Sequence, residues 1–251
     1  MPLAYCLLRK MTYQFDWSVL WSGQTGTWLL QGVLITLELS GLGWLVAIAL
    51  GVVSGALRTV PVAPLRWLAA AYVEFFRNVP LLVWMFFWYF GMPPLLPTGL
   101  REWLLDHGAE FWAGVCALGV YHGARFSEVI RAGIRSIPKT QLEAALSTGL
   151  TVTQAYRLIL IPIALRLIVP PATNETLNLL KNSSVALTIG VAELTFQTRQ
   201  IEAYTAKAFE ALAAGTVIYL ALCLAIAAVM ARVERRVAIP GMIAQGQSGE
   251  V

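Results

Sequence analysis

The chain has 251 residues, of which 58% are hydrophobic and only 13% are charged. A soluble globule of this size could not keep so much apolar surface from water, because small folds leave a large fraction of their surface exposed. The composition therefore excludes a secreted disulfide scaffold, a disordered tail and a nucleic-acid-binding module. The net charge of +4 fits a membrane topology instead, since the cytoplasmic loops of membrane proteins collect Lys and Arg.

Several apolar segments are long enough for transmembrane helices, since a hydrocarbon core requires about 20 mostly apolar residues per helix. In chain order these segments are 28–57, 79–96, 111–124, 167–196 and 211–231, and the preceding stretch 68–76 could extend the second as a helix. The third segment is short, and the fourth contains charged residues. The predicted fold is an all-α integral membrane protein with about five transmembrane helices.

The distribution of Lys and Arg predicts how this domain is oriented. The membrane domain is expected over 28–236, after an external amino-terminal segment, 1–27, and before a cytoplasmic tail, 237–251. This orientation places most of the Lys and Arg residues between spans on the cytoplasmic side, as the positive-inside rule requires. Two basic residues just before Met11 fall on the external side, so we hypothesise that translation begins at Met11.

The largest segment between predicted spans, 125–166, predicts a helical hairpin over 138–162. Ser136 is a candidate cap for a helix whose first turn contains Pro138, because proline is favoured at the start of a helix. Gly149 is a natural helix stop. The first arm of the hairpin is therefore expected to end there.

A second arm is predicted to begin at Thr151. Gln154 follows at the spacing of a capping box, in which the two side chains cap each other's backbone amides. This helix is expected to run toward Pro162. The hairpin would then be exposed to the cytoplasm.

Residues 141–162 resemble the EAA loop of ABC importer permeases. The positions that match the motif are Glu143, Ala144, Ala145, Gly149 and Pro162. Three further blocks, 72–82, 164–171 and 180–194, resemble the polar amino-acid branch of that family and occur in its order. A lone Glu-Ala-Ala would carry no weight, but ordered blocks on this hydropathy pattern identify the chain as a member.

The resemblance implies a function in transport and a set of partners. ABC importers combine two permease subunits, two ATP-binding subunits and an extracytoplasmic substrate-binding protein, in the bacterial cytoplasmic (inner) membrane. The hairpin would transmit ATP-driven motion: Ala144 and Ala145 permit close approach, Gly149 lets the chain reverse, and Glu143 pairs with a basic group of the ATPase or caps locally. Without partners it would be an ordinary surface hairpin.

The chain has no sequence signature for chemistry of its own. It lacks the Gly-x-x-x-x-Gly-Lys-Ser/Thr run that cradles nucleotide phosphates, and its Cys and His residues have no metal-ligand spacing. We expect no enzyme activity, no metal and no cofactor on this chain. ATP–Mg would be bound by the partner ATPase.

Polar residues within the fourth predicted span are candidates for the substrate pathway, because charges in a membrane are expensive and usually face a partner or a water-filled path. The members are Lys181, Asn182, Ser183, Ser184 and Glu193. Such residues suit a helix end that lines a cavity and holds both ends of a zwitterion. Two roles fit Lys181 and Glu193 equally: contact with substrate, or structural pairing with other spans.

Four further polar residues each admit two roles. Arg77 and Asn78 precede a proline at a span end, where Arg77 lines the inner cavity or anchors the helix at the headgroups. A buried pair with Lys or Arg is the default for Glu38. His122 is expected to be a hydrogen-bonded core residue rather than a proton carrier.

Blocks 75–80, 86–91 and 233–241 look most like glutamate/aspartate permeases within the family. An acidic substrate would also suit Lys181. An ion channel or gradient-driven secondary carrier would explain the spans without an ATPase but would leave the hairpin unused. An integral membrane enzyme would require a clustered catalytic set, which the sequence does not contain.

Overall fold

The computed structural model describes residues 13–237, which form helices and connecting turns without a β-strand. The hypothetical start at Met11 and all but the first residue of the predicted tail, 237–251, lie outside this part of the chain.

Ten α-helices form the described part of the chain. They are α1 (Thr25–Leu57), α2 (Ala63–Arg77), α3 (Leu81–Phe86), α4 (Thr98–Asp106), α5 (Ala109–Arg135), α6 (Lys139–Ser147), α7 (Val152–Ala155), α8 (Ile161–Asn182), α9 (Leu194–Thr205) and α10 (Ala208–Val237). Short 3₁₀ helices cover Trp17–Leu20, Pro93–Leu95 and Ser183–Ile189, and π-helical turns cover Phe87–Gly91 and Tyr156–Leu160.

The closest helix packing joins α1 and α5, which run parallel to each other. Small residues recur at every fourth position of α1, at Gly43, Ala47, Gly51 and Gly55. A Cβ added to Gly51 would lie 2.5 Å from the Cβ of Phe126. Small residues at this spacing let helix backbones approach closely in a membrane, where packing rather than water drives association. The α1–α5 pair therefore forms the most extensive helix–helix interface of the bundle.

Within residues 13–237, three helical segments are long and apolar enough to cross a membrane: Thr25–Leu57, Val152–Ile189 and Ala208–Val237. A fourth span arises if α2 and the segment Leu81–Gly91, which are bent by 100° relative to each other, are counted together. The extension of the predicted span 79–96 by 68–76 as one continuous helix is thus wrong. Pro80, which has no N–H and an extended ψ of 142°, separates its two halves.

The third predicted span is part of a longer helix, α5, which is not among the helical segments that are long and apolar enough to cross a membrane by composition. Residues 111–124 lie within α5, which continues to Arg135 and at 27 residues is about 40 Å long. Residues 125–135 therefore continue this helix and are not part of the loop that follows it. α5 contacts α1, α2, α3 and α8, and these neighbours partly cover Arg125, Glu128 and Arg131, whereas Arg135 at the end of the helix is exposed.

The fourth predicted span, 167–196, has the wrong bounds. The helical segment starts at Val152 and ends at Gly190, whose φ of +91° reverses the chain. The chain then begins α9 at Leu194. Apolar composition continues across this break, so hydropathy alone placed the end of the span too late.

The segment before α1 is fixed to the start of α10. The amide of Asp16 donates a 2.7 Å hydrogen bond to Glu210 Oε1, and the Tyr13 hydroxyl donates to the same carboxylate. This hydrogen bond to Glu210 raises the pKa of Tyr13. Lys207 Nζ also donates to the carbonyl oxygen of Gln14 at 2.6 Å.

Candidate functional site

The first arm of the hairpin is α6, which follows Pro138. Pro138 occupies the cap position with an extended backbone and without a side-chain cap. The expected cap, Ser136, instead ends α5: its amide donates to Ala132 O and its hydroxyl to Gly133 O. Ser136 as a cap of α6 was wrong, because the end of α5 lies closer to it than the start of α6.

Gly149 ends α6, as the sequence predicted. Its φ is +86°, a conformation that residues with a Cβ rarely adopt. Its amide donates to Leu146 O at 3.0 Å, and the amide of Leu150 donates to Ala145 O at 3.4 Å. These two bonds form a Schellman motif, which satisfies the last carbonyl groups of the helix.

The second arm begins with the predicted capping box. Thr151 N donates to Gln154 Oε1 at 2.9 Å, and Gln154 N donates to Thr151 Oγ1 at 3.3 Å. The arm does not end near Pro162, however. Pro162 lies in the first turn of α8, where its missing N–H is tolerated because the preceding π turn has already altered the backbone bonding. The second arm is the start of a membrane-spanning helix.

The residues of the Glu-Ala-Ala motif point in different directions. Glu143 and Ala144 are exposed, whereas Ala145 is buried. The two arms of the hairpin contact each other, so the small side chain of Ala145 belongs to packing within the hairpin. Glu143 and Ala144 are the members available to a protein partner.

A polar cluster lies between α5 and α8. His122 is fully buried, and its Nδ1 lies 2.6 Å from Glu175 Oε1. Asn182 Nδ2 lies 3.2 Å from the other ring nitrogen, Nε2. Both contacts are satisfied when Nδ1 carries the proton and donates to Glu175, while Nε2 accepts from the Asn182 amide. His122 is thus the hydrogen-bonded core residue that the sequence favoured.

Arg125 extends this polar cluster toward the surface of the chain. Its Nε lies 3.9 Å from Glu175 Oε1, and its Nη2 donates to the Tyr121 hydroxyl at 2.7 Å. The guanidinium carbon lies 4.9 Å from the centre of the Tyr121 ring. The Arg125 side chain remains 39% exposed. Its Nε has no hydrogen-bond partner among the described residues.

The other candidates from 181–184 lie around the end of α8, with Lys181 inside the helix and Ser183 and Ser184 directly after it. Lys181 is exposed next to Asn182. The hydroxyls of Ser183 and Ser184 donate to Leu180 O and Lys181 O, each at 2.7 Å, and Ser183 is fully buried. Asn182 therefore joins the cluster, while the Ser183 hydroxyl bonds to its own helix.

Glu193 lies apart from that cluster and caps α9. It is fully buried, and its carboxylate accepts hydrogen bonds from Thr195 N at 3.0 Å and Phe196 N at 2.8 Å. The Tyr219 hydroxyl donates to it at 2.6 Å. Neither Lys181 nor any other cation of the described chain pairs with it. In this conformation the Glu193 carboxylate is not accessible to an ammonium group.

Arg77 and Asn78 occupy the break between α2 and α3, where both are exposed. Arg77 lies 3.7 Å from Glu128, and the two residues line an open cleft of about 470 Å³ between α2, α5 and α8. Asn78 Nδ2 donates to Glu74 Oε2 at 3.2 Å. Arg77 thus lines a cleft, and its role in lining the inner cavity or in anchoring the helix at the headgroups stays a prediction.

The sequence did not reveal that Arg125 and Glu175 belong to the polar cluster around His122, or that Glu128 lies at the cleft beside Arg77. A signal for Glu175 was present, since Glu175 and Asn182 are seven residues apart and so lie on one face of a helix. Their partner on α5, by contrast, is 53 residues away from Glu175 in the chain. Glu38 was also misjudged: it is exposed and has no ion pair within residues 13–237.

A protein-family model described as "Binding-protein-dependent transport system inner membrane component" matches residues 47–239. The chain belongs to this family. It is a multi-pass transport permease of the inner membrane and not an enzyme, and the family resemblance drawn from its sequence blocks is confirmed. The described residues contain no group of three or more His, Cys, Asp or Glu side chains that could hold a metal ion.

Curated relatives of the permease cover most of its length. The Escherichia coli K12 glutamate/aspartate import permease protein GltJ is 43% identical over 218 residues, which are 85% of this chain and 89% of that protein. The Escherichia coli K12 glutamine transport system permease protein GlnP is 33% identical over 226 residues, 90% of this chain and 99% of that protein.

Solved structures agree with the fold of the permease. A chain from the crystal structure of an amino acid ABC transporter with histidines superposes with a TM-score of 0.76 at 30% identity, covering 89% of this chain and 100% of that one. A chain of the MetNI methionine ABC transporter in an inward-facing conformation gives a TM-score of 0.69 at 21% identity, covering 87% and 100%. The latter similarity shows the fold alone.

Proposed function

We propose that this permease is the membrane-spanning subunit of an ABC importer that moves acidic amino acids into the cytoplasm. Transport would proceed by alternating access, driven by a separate ATPase. The observation that carries the choice of substrate is the partly exposed guanidinium of Arg125, which lies beside Glu175 in the polar cluster that Asn182 joins. The 43% identity to a glutamate/aspartate permease supports the same choice.

The cluster offers both signs of charge to an acidic amino acid. The partly exposed Arg125 guanidinium presents a planar set of donors that suits a carboxylate. Glu175 is buried but lies beside Arg125, so it balances part of the positive charge of the cluster and accepts a hydrogen bond from His122. The Asn182 amide can donate to a second carboxylate oxygen. Glu193 is left with its capping role, and Ser183 with packing.

The hairpin is the proposed point of coupling to the ATPase. Glu143 and Ala144 are exposed on α6, and a Schellman turn at Gly149 connects α6 to the helix that continues into α8. Because the second arm is continuous with the helix that carries Glu175 and Asn182, displacement of the hairpin would move one side of the polar cluster. Gly149 and Pro162 contribute the turn and the helix start.

A second permease subunit, the same or homologous, is part of the proposed assembly. Glu38 lies within the apolar helix α1 and is exposed on this chain. A carboxylate facing hydrocarbon would be costly, so this side of α1 is expected to meet a protein partner or a water-filled path. The remaining partners are the ATP-binding subunit, the extracytoplasmic binding protein and the lipid bilayer. In the proposed orientation the amino terminus lies outside and the carboxyl terminus lies in the cytoplasm.

The test is transport by proteoliposomes that contain the permease, its ATPase and its binding protein. We expect ATP-dependent uptake of glutamate and aspartate, with much weaker uptake of glutamine. Arg125→Gln should raise the apparent KM for glutamate by about tenfold or more, whereas Arg232→Gln, an exposed arginine on α10 that donates to its own helix at 3.2 Å, serves as the matched control. An equal rise of the apparent KM in both variants would contradict the role of Arg125.

A gradient-driven carrier is the competing interpretation. It predicts uptake by the permease alone when an ion gradient is imposed, with no effect of ATP. Uptake that persists without the ATPase would overturn the importer assignment. Removal of the exposed charge at Glu143 separates the two further, since only the importer requires contact with an ATPase.

A further inference from the structure

A second cleft with a strongly basic lining lies at the end of the bundle where α1 and α5 finish. Its volume is about 220 Å³, and four arginines line it: Arg58, Arg66, Arg131 and Arg135. They come from three different parts of the chain, namely the residue after α1, the first turns of α2 and the last turns of α5. The tertiary structure therefore concentrates charge that the sequence distributes.

The positive charge of this cleft is only partly neutralised within the described chain. Glu128 accepts from Arg58 at 2.5 Å and from Arg131 at 2.6 Å, and it lies 3.7 Å from Arg77. One carboxylate thus faces three guanidinium groups.

Arg66 and Arg135 are the arginines of the cleft whose guanidinium groups are available to a ligand. Neither has an ion pair or a side-chain hydrogen bond within residues 13–237, and both are exposed. Arg58, by contrast, is held in a fixed position by Glu128 and is nearly buried. The cleft therefore combines prearranged and available donors.

Apolar side chains accompany these arginines on α2. Trp67 also lines the cleft and is 73% exposed, and Leu68 beside it is 70% exposed. Trp is enriched where the headgroups of a membrane meet the acyl chains. An anion that carries acyl chains would satisfy the arginines and cover this apolar surface together, whereas a free anion would cover only the arginines.

The cleft lies at the same end of the bundle as the hairpin. Arg135 is the last residue of α5, and α6 begins at Lys139. In the orientation proposed above, this end faces the cytoplasmic leaflet. Basic pockets between helices on that side are suited to the headgroups of anionic lipids, since guanidinium groups bind phosphate oxygens in pairs.

We propose that this cleft binds the phosphate of an anionic phospholipid of the inner leaflet. Arg66 and Arg135 contact the phosphate, Arg58 and Arg131 supply fixed positive charge, and Trp67 packs along the acyl chains. The bound lipid connects the ends of α1, α2 and α5. It also neutralises charge directly beside the coupling hairpin.

The experiment measures lipid retention by native mass spectrometry on the purified transporter complex. The complex is reconstituted in phosphatidylcholine nanodiscs that contain phosphatidylglycerol as a minor component. The test variant is Arg66→Gln/Arg135→Gln, which leaves the arginines bonded to Glu128 in place. The control is Arg235→Gln/Arg236→Gln, which removes the same charge from exposed positions at the end of α10. That helix end lies at the same end of the bundle, since Arg166 at the start of α8 donates to Val237 O at 2.7 Å.

The wild type and the control are expected to retain phosphatidylglycerol in preference to phosphatidylcholine. The test variant should lose on the order of tenfold in this retention, and Arg66→Lys/Arg135→Lys, which preserves the charge, should recover most of it. Equal retention in the test and control variants, or no preference of the wild type for the anionic lipid, would overturn the proposal.

A separate experiment distinguishes binding of free phosphate from binding of a lipid headgroup. Inorganic phosphate is added to complexes in pure phosphatidylcholine nanodiscs and to complexes loaded with phosphatidylglycerol. Binding of inorganic phosphate that depends on Arg66 and Arg135 and displaces the lipid would assign the cleft to a soluble anion and reject the lipid. Lipid retention is measured without substrate or ATP, so a failed transport assay leaves this result unaffected.

Discussion

His122 and Glu175 connect α5 to α8 through a 2.6 Å contact between Nδ1 and Oε1, although 53 residues separate them in the chain. The histidine is fully buried and the glutamate nearly so. The contact places a polar network inside an otherwise apolar bundle. Asn182, the last residue of α8, completes it at 3.2 Å from Nε2.

Removing the partner of His122 should destabilise the permease. Glu175→Ala leaves a buried Nδ1–H without an acceptor, which costs about 1–3 kcal/mol. Glu175→Gln keeps an acceptor oxygen and should cost less. The measurement is the thermal unfolding of the solubilised complex followed by tryptophan fluorescence. An alanine variant as stable as the glutamine variant would show that the contact contributes nothing.

Asn182 and Ser183 are adjacent but should respond differently to substitution. Asn182→Ala removes a donor from the polar cluster and should raise the apparent KM for glutamate. The Ser183 hydroxyl donates to Leu180 O of its own helix. Such a bond contributes about 0.5–1.5 kcal/mol to folding and nothing to substrate binding. Ser183→Ala should therefore leave the KM within about twofold of the wild-type value. Concentration-dependent uptake tests both. Unchanged KM values in both variants would favour a purely structural cluster.

Glu193 should contribute to stability and not to substrate affinity. Glu193→Ala frees two backbone amides at the start of α9 and the Tyr219 hydroxyl, and loss of such a cap costs about 0.5–2 kcal/mol. The unfolding temperature should fall while the apparent KM stays the same. Tyr219→Phe removes one of the same hydrogen bonds and should show a smaller shift in the same direction. A raised KM at unchanged stability would return Glu193 to the substrate pathway.

Close packing of α1 on α5 makes Gly51 sensitive to a single methyl group. The added Cβ of Gly51→Ala would lie 2.5 Å from Phe126 Cβ and 3.3 Å from Gly123 O, so the helices must separate at a cost of about 1–3 kcal/mol. Gly41→Ala is the matched control on the same helix, because a Cβ there has no neighbour within 4 Å. The control should be as stable as the wild type or slightly more so. Similar unfolding temperatures for both variants would contradict the close approach.

The residue type at position 149 is restricted by the backbone conformation there and not by steric contact with neighbouring atoms. A Cβ there has no neighbour within 4 Å, yet its φ is +86°, which costs residues with a side chain about 1–2 kcal/mol, and asparagine less. Gly149→Trp adds bulk on the exposed turn and should separate ATP hydrolysis from uptake, while Gly149→Asn should keep them coupled. Both rates are measured on the same proteoliposomes. Normal uptake in the Trp variant would rule out a coupling role for this turn.

Local features of the structure were readable from the sequence because they depend on neighbouring residues. Thr151 and Gln154 form the predicted capping box, and Gly149 has the positive φ expected of a helix stop. Each involves partners within a few positions, where spacing fixes geometry. Ser136 shows the limit of this reasoning. A serine can cap the start of one helix or end the helix before it, and the position of α5 determined that Ser136 ends α5.

Helix lengths were predicted less well, because hydropathy reports composition and not backbone direction. The apolar run through 167–196 continues across the left-handed turn at Gly190, and Arg125 was assigned to a loop although α5 continues through it. A helix in the centre of a bundle can carry charge when its neighbours shield it. Hydropathy cannot detect that shielding.

The sequence by itself determined a helical membrane permease, its family, and the hairpin with its turn and cap, since composition and short-range spacing encode all of these. Only the tertiary structure decided which polar residues meet. It joined His122 to Glu175 and gathered Arg58, Arg66 and Arg135 at one cleft, while it left Glu193 as a cap. Helical periodicity specifies the face on which a residue lies but not which face of which helix lies opposite, and that pairing follows from the packing of small residues between helices.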